Sequence, residues 1–217
     1  MGVKLKHASG NGTVIGAPAA NPSADITLKA PSTTGSAGQY LKVATANHSS
    51  TNAELEWATP TAGTILKKTY YEIARATWTD SEFPDDDTIP QNDEGVEVFT
   101  QAYTPTNTSG CDIWVTAHFH LAETSNIANG FAAGLFISSQ TDALQVRSNY
   151  QDGTDSYHNG DITIIHKIAT WSGARTFSLR ASGTNSINYQ HHGSGWAGTL
   201  YGANQSKSPF IIEEVAT

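Results

Sequence analysis

An all-β protein, a sandwich or a barrel, is what this sequence predicts, and three observations lead there. Strand-length segments that alternate apolar and polar side chains follow one another along the whole chain. The gaps between them hold clusters of Gly, Pro, Ser, Asn and Asp, the residues that close turns. No segment keeps an apolar stripe of helical period.

Taken in order, the segments fall into two groups. In residues 1–62 the candidates are "GTVIGAP", "DITLKAP", "QYLKVAT" and "ELEWAT". Each offers only two or three apolar side chains, too little buried surface to offset the chain entropy of an independent domain. Yet Val14, Ile15, Ile26, Leu28, Tyr40, Leu41, Val43, Leu55 and Trp57 are spaced too regularly for a disordered tail. The segment is expected to pool these residues with other copies of the chain; packing on its own remainder is the alternative. Residues 63–217 read as a second, compact domain. Its strand candidates are "KKTYYEIARATW", "GVEVFTQAY", "CDIWVTAHFHLAE", "GFAAGLFISS", "DALQVRSNY", "DITIIHKIAT", "ARTFSLRAS", "SINYQHH" and "SPFIIEEVA". Many short strands at near-regular spacing suit a sandwich or barrel.

Composition narrows the function. The chain has 217 residues, of which charged side chains make up 15%, against about a quarter in an average protein. Ser, Thr, Asn and Gly solvate it instead, as in extracellular β-proteins and viral fibres. A net charge of −8 with scattered basic residues argues against a nucleic-acid partner, which needs clustered Lys and Arg. Cys111 is the single cysteine, so no disulfide staples the chain. Residues 1–20 lack the apolar core of a signal peptide, and no stretch approaches the ~20 apolar residues of a membrane span. An extracellular composition without an export signal fits a virion component made in the host cytoplasm and not inserted in a membrane.

Gly35 to Ala58, "GSAGQYLKV…NHSSTNAELEWA", resembles a motif of bacteriophage tail fibres and related adhesins. That motif is a Gly-Ser/Thr-x-Gly-Gln-x-Leu run, a Gly/Asn/Ser turn and a Trp-Ala end. The resemblance implies that 1–62 is a homotrimeric shaft or virion-attachment segment. Residues 63–217 resemble the tumour-necrosis-factor/C1q (TNF/C1q) jelly roll that caps many phage fibres. "CDIWVTAHFHLAE" matches its long central strand after a Gly turn, and "SPFIIEEVA" its closing strand. "DITIIHKIATWSGARTFSLRAS" matches a hairpin of that family, with "SGAR" where Gly-Asp is usual. The implied molecule is a homotrimer with extended N-terminal β segments and a jelly-roll β-sandwich head.

Period-two alternation places Ile113, Val115, Ala117, Phe119 and Leu121 on the core face of the central strand. Trp114, Thr116, His118 and His120 take the other face. In the resembled family that face lines the trimer axis, where phage fibres with His-x-His strands bind iron. Three copies would bring the imidazoles of His118 and His120 together, a donor set for iron or zinc. The alternative is two histidines hydrogen-bonding across a polar interface or facing solvent. His191 and His192, being adjacent, point to opposite sides of a strand and suit no common ion. Asp85 to Asp87, with Asn92, Asp93 and Glu94, offer calcium-type oxygens but not the spacing of a calcium loop, and read as an acidic surface.

Nothing in the chain has an enzyme signature: there is no G-x-S-x-G, P-loop or H-E-x-x-H. Aromatics in polar loops carry the binding signal. In "GSGWAGTLYGANQSKS", Trp196 and Tyr201 can stack on sugar rings while neighbours such as Asn204 read hydroxyl groups; Trp196 folding back over the sandwich is the alternative. The resembled topology puts this loop at the end away from the chain termini. "NYQDGTDSYHNGD", with Tyr157, is a second candidate, expected by strand parity to lie nearer the shaft. The expected function is a homotrimeric tail fibre or knob that binds a host-surface glycan without catalysis and joins other virion or tail proteins through 1–62. A capsid decoration or collar protein without a receptor is the alternative, and a polysaccharide depolymerase a remoter one.

Overall fold

Two segments set the frame of the fold: "CDIWVTAHFHLAE" and "SPFIIEEVA" are strands over their full predicted lengths and lie side by side. The computed structural model describes residues 3–6, 12–15, 27–36, 38–46, 49, 52–73, 77–78, 83–84, 86–123, 129–151, 158–183, 189–191 and 208–217. The chain divides into two compact units, Met1–Pro60 and Thr61–Thr217. Among the described residues there is no helix, and so none long and apolar enough to cross a membrane.

In the first unit, β1 (Val3–Lys6) pairs antiparallel with β2 (Gly12–Ile15). A three-stranded sheet holds β3 (Thr27–Lys29), β4 (Tyr40–Val43) and β5 (Asn52–Ala58), with β5 in the middle, parallel to β3 and antiparallel to β4. The fibre-like motif has a local physical meaning here. Trp57 lies against Gly35 so closely that a Cβ there would sit 2.5 Å from its ring. Its indole N–H donates to the Thr33 carbonyl at 2.9 Å, and the Gln39 side chain accepts from the Ser36 N–H at 2.8 Å. Leu28, Tyr40, Leu41 and Val43 nevertheless stay exposed, as expected of a segment too poor in apolar residues for a core of its own.

The second unit begins with β6 (Ile65–Ile73), β7 (Thr77–Trp78), β8 (Val96–Tyr103) and β9 (Cys111–Glu123). It continues through β10 (Asn129–Ile137), β11 (Gln145–Gln151), β12 (His158–Ala169), β13 (Arg175–Gly183), β14 (Tyr189–His191) and β15 (Ser208–Ala216). One sheet has the order β11-β10-β13-β8; the other runs β6-β15-β9-β12, with β14 and β7 continuing its far end. The chain crosses between the sheets from β8 to β9 and from β12 to β13, while β10 and β11 pair within one sheet. The strand orders β6-β15-β9-β12 and β8-β13-β10-β11 are those of a jelly roll. Between the sheets, Ile113, Val115 and Ala117 of β9 meet Leu135, Phe177 and Leu179, all but fully buried. Phe210 is the aromatic hub, with ring centroids 5.0 Å from Phe99 and 6.0 Å from Phe177.

The expected hairpin at "DITIIHKIATWSGARTFSLRAS" is not one. β12 bonds to β9, whereas β13 bonds to β10 and β8, so the turn through Gly173 crosses from one sheet to the other. Both strands alternate toward the same core, Ile162 and Ile164 from one side and Phe177 and Leu179 from the other. Alternation fixes which face is buried but not which sheet a strand joins.

The alternation of β15 also drives Glu214 into the core side, where it is fully buried. Its Oε1 accepts from Tyr103 Oη and the Thr106 N–H, both at 2.7 Å. Its Oε2 accepts from the Asn107 N–H at 2.9 Å and Asn107 Nδ2 at 2.7 Å. Lys67 Nζ stands 3.8 Å away and donates to Thr106 Oγ1. Burial pushes the carboxyl pKa up, but the hydrogen bonds from Thr106, Tyr103 and Asn107 outweigh it and hold the group below the ordinary glutamate range. With its folded pKa depressed, the stabilisation from Glu214 is fully present above that range and drains as pH falls through the folded value. Glu214→Gln turns an amide N–H against backbone donors and is expected to cost about 3 kcal/mol in urea unfolding at neutral pH. The variant should also lose less stability than the parent on acidification; an equal loss in both would show that Glu214 does not carry the acid sensitivity.

Candidate functional site

Of the site residues singled out in the sequence, those described on β9 lie on the outward face of the larger sheet. On β9, Trp114, Thr116 and His118 point away from the core, as their parity requires. The side chains of Phe119, His120 and Leu121 lie outside the described residues. His118 Nδ1 hydrogen-bonds with Thr163 Oγ1 at 2.7 Å, and its Nε2 is 3.9 Å from Asp161 Oδ1. A ring held through Nδ1 presents Nε2 outward, the geometry that second-sphere partners give to metal-binding histidines. Among the described residues no three His, Cys, Asp or Glu side chains gather in one chain to hold an ion.

Around His118 this face is unusually apolar for an exposed surface. One cross-strand row runs Tyr70, Ile211, Thr116 and Ile165; the next runs Lys68, Glu213, Trp114 and Lys167. Tyr70 and Ile165 are each 52% exposed and Trp114 38%. Ion pairs Lys68–Glu213 at 2.8 Å and Lys167–Asp112 at 3.0 Å frame the apolar side chains.

The glycan-binding candidates Trp196, Tyr201, Asn204 and Tyr157 all lie outside the described residues. The strands on either side of these segments are described. β12 starts at His158 opposite Glu123, the last residue of β9. His191 of β14 pairs with Leu121.

The acidic loop is committed to its own turns. Asp86 Oδ1 accepts from the Thr88 N–H and hydroxyl, which hold its pKa below the usual value, and Glu94 Oε2 accepts from the Gln91 N–H at 2.7 Å. Cys111 is buried, burial pushes its thiol pKa up, and its Sγ donates to the Asn107 carbonyl, the setting of a structural thiol. The sequence reading passed over Glu214, although two consecutive glutamates in an alternating strand require one of them to face inward.

No protein-family model matches the chain, and no curated protein does. Among solved structures, dimeric latent PorU from Porphyromonas gingivalis aligns over 72% of this chain and 14% of its own, at 6% identity and TM-score 0.34. Infectious bursal disease virus, Gx strain, aligns over 75% and 39%, at 12% identity and TM-score 0.32. A lipoprotein from Bacteroides thetaiotaomicron aligns over 71% and 94%, at 11% identity and TM-score 0.29. This chain thus spans well under two thirds of the first two. Similarities of this size assign no function, and the jelly roll rests on the strand order itself.

Proposed function

We propose that this chain is a homotrimeric virion fibre or knob protein that binds a host-surface glycan and performs no catalysis. The observation that carries the proposal is the outward face of the larger sheet. Tyr70, Trp114 and Ile165 stand exposed on it, with Ile211 and Val215 beside them, where an isolated domain would place polar side chains. A second and third copy of the chain are the partners that would cover such a face while leaving the loops at the far end free. The Gly35–Trp57 motif of the first unit supports a fibre role, with attachment to other virion or tail proteins through that unit. A capsid decoration protein would share the trimer but not the adsorption to cells. If three copies meet on this face, His118 approaches its counterparts with Nε2 outward, and iron or zinc is the fitting ion.

Light scattering of the full chain is expected to give roughly three times the 23.1 kDa chain mass. Trp114→Glu combined with Ile165→Glu places carboxylates in that face and should yield a folded monomer; a trimer that survives both charges would place the interface elsewhere. Purified protein should carry iron or zinc at about one atom per three chains, lost in His118→Ala. Metal content unchanged by that substitution would remove the histidine from the site.

A further inference from the structure

We infer that the outer face of the four-stranded sheet holds a binding recess for a single neutral or amino-bearing sugar ring, formed by Thr100, Thr176, Ser178, Glu97 and Ser138 above the buried Phe136. This is the sheet opposite the exposed apolar face, and none of its residues figures among the loop aromatics or histidines.

The recess exists because the chain before β8 crosses this face as a strap that covers only part of it. Phe83 packs on Phe136 with ring centroids 6.4 Å apart. Gly95 follows at φ 64°, where a Cβ would come within 2.5 Å of the Phe83 ring. Arg180 fastens the strap by donating to the carbonyls of Glu94 and Gly95. Further along, Gln91 Nε2 donates to Asp142 Oδ1 at 2.7 Å and the Asn92 N–H to the Thr141 carbonyl at 2.8 Å. Where the strap stops, a recess of about 180 Å³ stays open, with Asn92 at its rim. Its walls are fixed by the fold before any ligand arrives, which lowers the entropy cost of binding. The volume falls below the roughly 300–1,000 Å³ of sites for larger ligands and suits one ring.

The chemistry of the walls narrows the ligand. Among the described residues, nothing in the protein bonds the hydroxyls of Thr100 and Thr176. Ser178 Oγ donates to Glu97 Oε2 at 3.2 Å, and Arg180 Nη1 lies 3.7 Å from the same oxygen, so the carboxylate is oriented and keeps lone pairs for a ligand O–H or N–H. Hydroxyls and a carboxylate around one recess answer the hydroxyl rim of a pyranose, while the Phe136 ring beneath them is buried and closes the floor. Glu97 is the only charged residue of the lining, and the chain carries −8 overall, which disfavours phosphorylated, sulfated or carboxylated sugars. A sugar ring held at one such site would bind at about millimolar strength, and several sites on one rigid particle would bind a glycan surface far more tightly.

The biological use of the recess rests on the proposed receptor role, whereas the recess itself rests on this geometry, and one experiment separates them. Full-length protein with labelled threonine methyls is titrated with glucose, galactose, N-acetylglucosamine, glucosamine and N-acetylneuraminic acid, and adsorption to host cells is measured on the same preparation. The Thr100 and Thr176 methyls should shift saturably with at least one neutral or amino sugar and not with the acid. Ser178→Ala with Glu97→Gln should weaken that sugar about tenfold, with melting temperature unchanged. Methyls that respond to none of these sugars, in protein that still adsorbs to cells, would overturn the recess and leave the receptor role standing. A saturable shift in protein that adsorbs to no cell would keep the recess and overturn the receptor role.

Discussion

Among the described residues of the second unit, one carboxylate, that of Glu214, is fully buried, and the two sheets are tied together around it. Glu214 lies on the core face of a central strand, in a place that alternation reserves for an apolar side chain, and accepts four hydrogen bonds there. A buried charge left unpaired would be heavily destabilising, so its partners have to stay in place. Those partners belong to the chain that crosses from β8 in one sheet to β9 in the other. Asn107 extends the arrangement: its carbonyl accepts from Thr170 Oγ1 and Cys111 Sγ. Thr170 opens the other crossing at this end, from β12 to β13, so both crossings are tied to the same asparagine. Beneath them Trp171 packs edge-on against Tyr103 and Phe177, and Arg175 lies over its ring. Hydrophobic contact alone would hold the two sheets together; this polar knot fixes how they are offset.

With that end locked, the two outer faces differ in kind. The four-stranded sheet is partly covered by a strap of its own chain, held by Arg180, and the uncovered part is hydroxylic and concave. The larger sheet has no such cover among the described residues, and its outward rows mix Tyr, Trp and Ile with framing ion pairs. A jelly roll needs only its inner faces to be stable.

Much of this was legible in the sequence, for identifiable reasons. β9 and β15 could be read residue by residue, because each is a long alternating strand between turn residues, and parity then fixed the outward position of Trp114 and His118. The Gly35 and Trp57 pair was legible as a motif, and its reason is steric. What alternation could not reveal was pairing. "DITIIHKIAT" and "ARTFSLRAS" present the same pattern whether they form a hairpin or face each other across a core, and only the hydrogen-bond ladders decide. The recess was illegible for a related reason. Thr100, Thr176 and Ser178 are ordinary outward positions on two strands and Ser138 follows a third, and no local pattern announces that a strap stops short beside them. The aromatic loops were chosen by composition, and their residues lie outside the described part of the chain.

The position of β15 has a consequence for how the protein is made. It is the last of the described strands to leave the ribosome, yet it sits between β6 and β9, the first long strand of this unit and the centre of the larger sheet. Until Ser208–Ala216 emerges, that sheet exists only as two pieces with unpaired edges, each a template for a neighbouring nascent chain. The carboxylate that ties the crossings together arrives on the same strand. Closure of the sandwich therefore waits for synthesis of the whole unit, and the pairing of β6 with β15 spans most of its sequence, a slow and non-local step. On a polysome carrying many copies, this sequence has to keep its strand edges from its neighbours until its own final strand can occupy them.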